Sequence, residues 1–369
     1  MSATVVEIHN RIEPLEADWE RLARRVRASP FLWPGWARAC WNVLDAGELQ
    51  IFAAYESGRL CGVLPMRRFR GLLASITISE STVFGFLATN EAVIERLSRA
   101  LISQAARRTD LSLLPPRDAD VLLGCASTEA SRYRVIKESI QAAPYVAIDG
   151  TTFETYRGRL RRKFRSEISR RRRRLEEQGR LALEVYDGAE GLGDLLEEGF
   201  GVEGSGWKGD YGTSINLHPG LRSFYTETAR WAAERGLLRL AFLRLDGRAL
   251  AFDYSLEYNG AHYLLKTGYD PAYSRFSPGM IIRYLMLERA FTEGINLYDF
   301  CGPDMAWKRE WTDTTQQRTF VHMFAPTALG SLDRAVFTHV SPAVERAKRS
   351  ALGDVLRRGR GLARRRLGR

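Results

Sequence analysis

Between Ala261 and Trp311 the spacing of apolar positions changes from strand period to helix period and back, which lays out a strand, a helix and a second strand in fixed order. Ala261-His-Tyr-Leu-Leu-Lys-Thr-Gly268 is short, half apolar and preceded by the turn pair Asn259-Gly260, so it is expected to be a strand. A loop of basic and aromatic residues follows, Tyr269-Asp-Pro-Ala-Tyr-Ser-Arg-Phe276. Ser277-Pro278-Gly279 then sets a hydroxyl at the cap and proline at the first helical position. Met280, Ile281, Tyr284, Leu285, Leu287 and Phe291 recur at helical spacing until Gly294, a C-cap residue, and Leu297-Tyr-Asp-Phe-Cys301 returns as a strand.

An earlier stretch repeats this order at an offset of roughly 186 to 189 residues. Ile51 to Leu60 and Leu240 to Ala249 both read as a strand entering a turn, with Gly58-Arg59 corresponding to Gly247-Arg248. The helical pattern of Val93, Ile94, Leu97 and Leu101 leads into Leu111-Ser-Leu-Leu-Pro115, as the helix after Gly279 leads into Leu297 to Pro303. Duplicated α/β domains are expected, residues 1–150 and 151–330, joined near the extended stretch Ala143 to Asp149 with a helix from Thr151 on. Residues 331–369 are expected to form a basic C-terminal helix or tail, with a short helix near Ser341-Pro342. The first domain lacks the basic loop and the Ser-Pro-Gly start, so its site is expected to be degenerate.

A chain of 369 residues with 45% apolar content can bury two cores of ordinary size. Its four cysteines, Cys40, Cys61, Cys125 and Cys301, are scattered, which argues against zinc knuckles and a secreted disulfide framework. Val5, Val6 and Ile8 are interrupted by Glu7, His9 and Asn10, so no secretory leader is expected, and no apolar run approaches the roughly 20 residues of a spanning helix. The expected setting is cytoplasmic, with the inner membrane face as a peripheral option. The net charge of +11 is concentrated. Residues 157–174 carry +10 and residues 345–369 carry +8, which leaves the remainder acidic by about 7 charges and excludes a nucleic-acid-binding face spread over the whole body.

Phosphate groups need convergent backbone N–H donors where negative charge is favoured, and a helix N-terminus after a strand supplies both. The donors expected here are Gly279, Met280 and Ile281, with Ser277 capping and Arg275 supplying charge. Pro278 shapes the turn and donates nothing.

That order of strand, phosphate loop, helix and strand resembles the cofactor core of the GNAT acyltransferase superfamily. More narrowly, residues from about 150 to 315 resemble the CelD-like acetyltransferase family, which is related to Fem-type peptidyltransferases built from two GNAT-like domains. The residues that carry this are FRSEISRRRRRLEEQG at 164–179, EGSGWKGDYGTSI at 203–215, LLKTGYDPAYSRFSPGM at 264–280 and YDFCGPDMAWKREW at 298–311. The resemblance implies an α/β (α+β) fold of two tandem GNAT-like domains, each a mixed, mostly antiparallel sheet flanked by helices. It also implies acetyl-CoA or another acyl-CoA as co-substrate, without a metal. The usual phosphate loop of the superfamily runs Arg or Gln, two residues, Gly, one residue, then Gly or Ala, whereas this chain has Arg275-Phe-Ser-Pro-Gly-Met280.

Period-two alternation places Lys266 on one face with Leu264 and His262. A lysine there must find a carboxylate or meet substrate, with Asp299 on the adjacent strand as its natural partner and Asp270 and Glu203 as competitors. Lys266 suits stabilisation of a tetrahedral oxyanion, the role that the Fem-type resemblance implies; the alternative is a structural ion pair. The glycine-rich stretch Glu203 to Gly212 holds Trp207, a flat face for a ligand, together with Lys208 and Tyr211. Glu203 is the first choice of general base and Asp299 the second. Asp253, Tyr269, Lys308 and Trp311 complete the substrate-side set, with core packing as the alternative for Trp311. No Ser/His/Asp triad is readable among the five histidines, and Cys301, just after a strand, reads as packing before it reads as a nucleophile.

Arginines cover the predicted helix from Gly158 to Gln178, whose stripe of Leu160, Phe164, Ile168 and Leu175 marks its inner side. Those charges suit a carrier phosphate, an acyl carrier protein, tRNA, an anionic membrane or plain solvent. The tail, with Leu352, Val355, Leu356, Leu362 and Leu367 among arginines, is similar to a membrane-surface helix. Three functions are compatible with these features. The first is acyl transfer from acyl-CoA to a small-molecule or glycan acceptor, in polysaccharide or envelope metabolism by the family resemblance. The second is a Fem-like transfer from aminoacyl-tRNA, and the third is a non-catalytic accessory role at a membrane polysaccharide synthase.

Overall fold

Four dipeptides held at positive φ fold this chain into hairpins: Ser57-Gly58, Arg70-Gly71, Asp246-Gly247 and Asn259-Gly260. Two consecutive residues with φ > 0 form the tight turn whose twist matches that of the flanking strands. The computed structural model describes residues 4–44, 46–104, 106–127, 133–148, 150–205 and 215–340. Within the first half the order is β1 (Val5–His9), α1 (Glu16–Arg25), α2 (Pro34–Asn42), β2 (Glu48–Glu56), β3 (Arg59–Phe69), β4 (Leu72–Ser75), β5 (Leu87–Ala88), α3 (Glu91–Ile102), β6 (Arg108–Leu114), α4 (Pro116–Ala126) and β7 (Arg134–Ala147). The second half opens with α5 (Phe153–Arg159) and α6 (Arg162–Glu176). It then repeats the order as β8 (Leu181–Tyr186), α7 (Leu192–Gly204), α8 (Pro219–Ala233), β9 (Leu238–Leu245), β10 (Arg248–Tyr258), β11 (Ala261–Tyr269), α9 (Pro278–Thr292), β12 (Leu297–Asp299), α10 (Ala306–Arg309) and β13 (Thr315–Phe324), and α11 (Ala328–Ala335) closes the described chain.

The duplication expected from sequence is therefore present in the order of the elements, with β5 the one strand among the described residues that has no counterpart in the second half. Each half lays down an antiparallel run, β1-β2-β3-β4 or β8-β9-β10-β11, then adds a parallel strand through a helical crossover, β6 beside β4 and β12 beside β11. All these strands join in one sheet of order β1-β2-β3-β4-β6-β13-β7-β12-β11-β10-β9-β8, with β5 paired to β3.

The centre of that order is a reciprocal exchange. β13, at the end of the second half, lies against β6 of the first, while β7, at the end of the first half, lies against β12 of the second through Tyr145, Val146 and Ala147. The two exchanged strands pair with each other from Phe324↔Arg134 to Thr315↔Pro144. The extended stretch read as starting near Ala143 is thus the last part of a long strand that begins at Arg134.

Packing between the halves continues off the sheet. Trp36 of α2 meets Phe224 of α8 edge-to-face at 5.1 Å, and Phe31 meets Tyr263 of β11 at 5.1 Å. A Cβ added to Gly35 would sit 2.1 Å from the Trp231 ring, so glycine is what allows α2 to touch α8. The other face of the second half's sheet is covered by α5, α6 and α9. The stripe predicted for the arginine helix, Leu160, Phe164, Ile168 and Leu175, is buried there. Leu160 extends between α5 and α6, so the helix read as continuous from Gly158 is two helices.

Because each half lacks a central strand without the other, residues 1–150 and residues 151–340 expressed separately should be insoluble or molten. Co-expression should recover a soluble complex, as judged by size-exclusion chromatography and hydrogen exchange at β7 and β13. Independent, cooperative unfolding of either piece would show that the exchanged strands are dispensable.

Candidate functional site

β11 and β12 run parallel for only three residue pairs, Ala261↔Leu297, His262↔Tyr298 and Tyr263↔Asp299. β12 ends there, two residues short of the predicted Cys301, while β11 continues to Tyr269. From Leu264 onward the β12 side of β11 has no ladder partner among the described residues.

A bulge then decides which way Lys266 points. Leu264 lies opposite Ser255 but Lys266 lies opposite Tyr254, so Leu265 is the extra residue. Leu264 and His262 stay on the α9 face, where Leu264 packs with Ile281 and Tyr298, while Lys266 turns to the α8 face with Tyr254. The alternation predicted from sequence fails at this one residue. Asp299 is not the partner of Lys266: it pairs with Tyr263, three residues or about 10 Å of strand away.

What Lys266 meets comes from three elements. Its Nζ lies 3.4 Å from Glu80 Oε2, in the segment joining β4 to β5 of the first half, and 4.0 Å from Glu203 Oε1 on α7. It sits 5.5 Å above the Tyr225 ring of α8. The Tyr225 hydroxyl donates to the same Glu80 oxygen. Burial, reinforced by the Glu80 carboxylate, pushes that phenol well above its ordinary value, so it remains a donor. Glu203 Oε2 accepts the Ile215 N–H at 3.0 Å. A Cβ at Gly268 would stand 2.4 Å from Glu203 Cα, and this close approach of α7 to β11 requires glycine. One lysine held between two carboxylates, with Glu203 buried and the other two nearly so, places positive charge where a developing negative charge can be offset.

Asp299 belongs to a second cluster, below the end of β12. It accepts the Cys301 N–H at 2.7 Å and the Gln316 amide at 2.8 Å. Burial raises its carboxyl to about 6 against the opposing effect of those bonds and of Arg318 and Lys308. Lys308 is also buried, which lowers its ammonium to about 8, and it donates to the carbonyls of Cys301 and Pro303. It therefore pins the turn after β12, where Cys301 and Gly302 both take positive φ, and does not line a cleft. The Cys301 thiol is pushed well above its usual range by burial and is not a nucleophile.

The loop and helix start expected to receive phosphates form in part. Pro271–Phe276 make a 3-10 turn, Pro278 opens α9, and Gly294 closes it at φ 73°. Ser277 does not cap with its side chain. It sits at φ 51°, its carbonyl accepts the N–H of Met280 and Ile281, and its hydroxyl is held by Arg171 of α6, which also holds Glu167. Two of the three expected donors are thereby satisfied within the chain, and the Gly279 N–H makes no backbone hydrogen bond among the described residues. Tyr269 borders it, since a Cβ at Gly279 would come 3.3 Å from the ring. Arg275 is exposed beside Phe276, and Ile281 is core.

Two further candidates are structural. Asp253 is fully buried in a bidentate pair with Arg283 at 2.6 and 2.7 Å, with no opening to substrate. Trp311 packs edge-to-face on Phe164 at 4.9 Å in the core. Trp207, Lys208 and Tyr211 lie outside the described residues. Glu80, Tyr225 and Arg171 were missed. Tyr225 looks like one more apolar position of α8, and Glu80 lies in an irregular segment of the other half with no motif around it. Arg171 carried a signal, as one of the helix arginines offered for a carrier phosphate.

Residues 162–309 match the model of the family described as "Acetyltransferase (GNAT) domain". Comparison with curated protein sequences finds no match. Among solved structures the chain is similar to a domain described as the C-terminal part of a putative lysylphosphatidylglycerol synthetase from Agrobacterium fabrum, with 13% identity, TM-score 0.55, and 87% of this chain and 96% of that one covered. It is similar to FemX at 14% identity, TM-score 0.53, covering 85% and 96%, and to L-PGS from Bacillus licheniformis at 12% identity, TM-score 0.51, covering 87% and 94%. At these identities the likeness is one of fold.

The Asp299 carboxyl, at about 6 in the folded chain against 3.8 for the free side chain, holds a proton between those values that the unfolded chain releases. Stability should therefore fall as pH rises from about 4 to about 6 and level off above. Asp299→Asn removes the titrating group, so urea melts across this range should show a flatter profile for the variant. An identical slope in the two proteins would mean that Asp299 is ionised throughout.

Proposed function

We propose, from the premise that residues 162–309 are a domain of the GNAT acetyltransferase type, that this chain transfers an acyl group from a phosphate-bearing thioester, acetyl-CoA or another acyl-CoA, to an amine or hydroxyl. The observation that carries the reading is the cluster of Lys266, Glu80, Glu203 and Tyr225 beside the divergence of β11 from β12. The donor supplies an activated carbonyl. As the new C–N or C–O bond forms and the C–S bond breaks, the acceptor must lose a proton, and Glu203 or Glu80 takes it. Lys266 offsets the negative charge that develops on the carbonyl oxygen. Tyr225 holds Glu80 in place through its hydroxyl, and the fixed contact of α7 with Gly268 holds Glu203. The Gly279 N–H and Arg275 would hold the donor's phosphates, with Arg171 fixing Ser277 beside them. By the CelD-like resemblance, the acceptor is a small molecule or glycan.

One observation favours a second donor. Arg161, Arg162, Lys163, Arg170, Arg173 and Arg174 are exposed on or at the start of α6, beside the phosphate loop. That is more positive charge than one diphosphate requires, and it suits the aminoacyl-tRNA implied by the Fem-type resemblance.

Calorimetry with acetyl-CoA, longer acyl-CoAs and free CoA separates the two. Saturating donor at about 100 times its dissociation constant should stabilise the fold by about 2.7 kcal/mol. Lys266→Ala, Glu80→Gln and Glu203→Gln should each lower turnover by roughly 10²-fold or more while retaining donor binding, and Arg171→Ala should weaken donor binding by about tenfold. RNase-sensitive activity without CoA binding would select the tRNA reading. Absence of both, with full biological activity in Lys266→Ala, would leave an accessory protein.

A further inference from the structure

α11 docks on the body by one side only. Asp333 pairs with Arg107 at 2.6 Å, Gly330 lies against the Ala325 backbone, and Phe337, in the π-helical turn Val336–Val340 that prolongs α11, packs on His322 and on the Arg108 guanidinium at 4.4 and 4.6 Å. Helical spacing then turns Leu329, Leu332 and Val336 to one other side. They are 59%, 58% and 44% exposed, which makes them the largest uncovered run of apolar side chains on one helix among the described residues. Ala328 and Ala335 border them, and Arg334 lies on the remaining arc. Immediately after this helix the sequence places ten Lys and Arg against Glu345 and Asp354.

We propose that the face of Leu329, Leu332 and Val336 docks this protein on an anionic lipid bilayer surface. An apolar stripe with adjacent cationic residues satisfies both parts of an interface made of acyl chains under negatively charged headgroups. A nucleic acid would use the charges and leave the leucines exposed, and a second copy of this chain would bring like charge against like. No helix among the described residues is long and apolar enough to cross a membrane, so the contact is parallel to the surface. Contact at this point places the end of β13, and with it the central strand pair, near the bilayer. This inference does not depend on the acyl donor or on the cluster around Lys266.

The full chain should sediment with vesicles of phosphatidylcholine containing roughly 30% phosphatidylglycerol and not with phosphatidylcholine alone. The binding should weaken between roughly 0.05 and 0.5 M salt. Replacing Leu329, Leu332 and Val336 together by Ser should weaken it by at least about tenfold, and a chain ending at Val340 should lose it. In Leu332→Trp, which leaves the docking side untouched, emission should shift to the blue on adding the anionic vesicles, relative to the unsubstituted chain. Unchanged binding by the triple variant, equal binding to both vesicle types, or no spectral shift in Leu332→Trp would overturn the proposal. So would a dimer in light scattering that the triple variant alone dissolves, since the stripe would then belong to a second copy.

Discussion

The exchange of β7 and β13 is the constraint on which the remaining geometry rests. A backbone strand inside a sheet must satisfy its hydrogen bonds on both edges, and here the bonds of each half's last strand are satisfied by the other half. Sliding one half against the other would break the central ladder, and a one-residue slip would turn every side chain of the pair to the wrong face. The halves are consequently locked in register by main-chain geometry, before any side chain contributes. Trp36 on Phe224 and Gly35 under Trp231 add apolar packing to a placement already made.

That placement explains how Glu80 reaches a lysine 186 positions away in the chain. The segment after β4 is irregular, yet it is anchored by the Ser81 hydroxyl accepting the Ile78 N–H at 3.0 Å and by the Arg318 guanidinium of β13 on the Thr82 carbonyl at 3.2 Å. Arg318 belongs to the exchanged strand, so the exchange also ties down the segment that carries Glu80. Burying two carboxylates beside one ammonium costs desolvation that Coulomb attraction only partly offsets. Such a group persists where rigid surroundings over-determine it, as the bulge at Leu265, the contact of Gly268 with α7 and the anchored segment do here. Sites that must act on a transition state are built in this way, with some stability of the fold given up for fixed charge.

Local chemistry made the elements legible in the sequence. The Asn259-Gly260 turn, Pro278 at the helix start, Gly294 at its end and the helical stripe of Phe164, Ile168 and Leu175 all act within a few residues and were placed correctly, while Leu160 is buried as expected but lies in the break between two helices. The duplication was readable for the same reason, because turn signals recur in order. What failed depends on tertiary context. A bulge inserts one residue without any marker in composition, and that was enough to put Lys266 on the wrong face and pair it with Asp299. Ser277 has the right chemistry for a cap, but an arginine from α6 competes for its hydroxyl. Asp253 and Lys308 looked available because polar residues near a ligand loop usually are, whereas Arg283 and two backbone carbonyls had already claimed them. Glu80 was invisible, since no rule of spacing connects the two halves.

The first half shows what a closed version of the same architecture looks like. Its α3 stands where α9 stands in the second half, but the Asn90 side chain accepts the Val93 N–H at 3.1 Å, and Glu91 occupies the first turn. A satisfied donor and an acidic first turn repel the anion that an open helix start would attract. Where the second half gathers Lys266, Glu203 and Tyr225, the first packs Trp19, Trp36, Val63, Ile76 and Phe84 around a cavity of about 20 Å³, room for a single water. The halves share a backbone plan and differ in the side chains at two positions, the start of the crossover helix and the face that carries Lys266 in the second half. One half supplies strands, packing and a single carboxylate, and this releases the other from having to stabilise itself at the place where its charges are gathered.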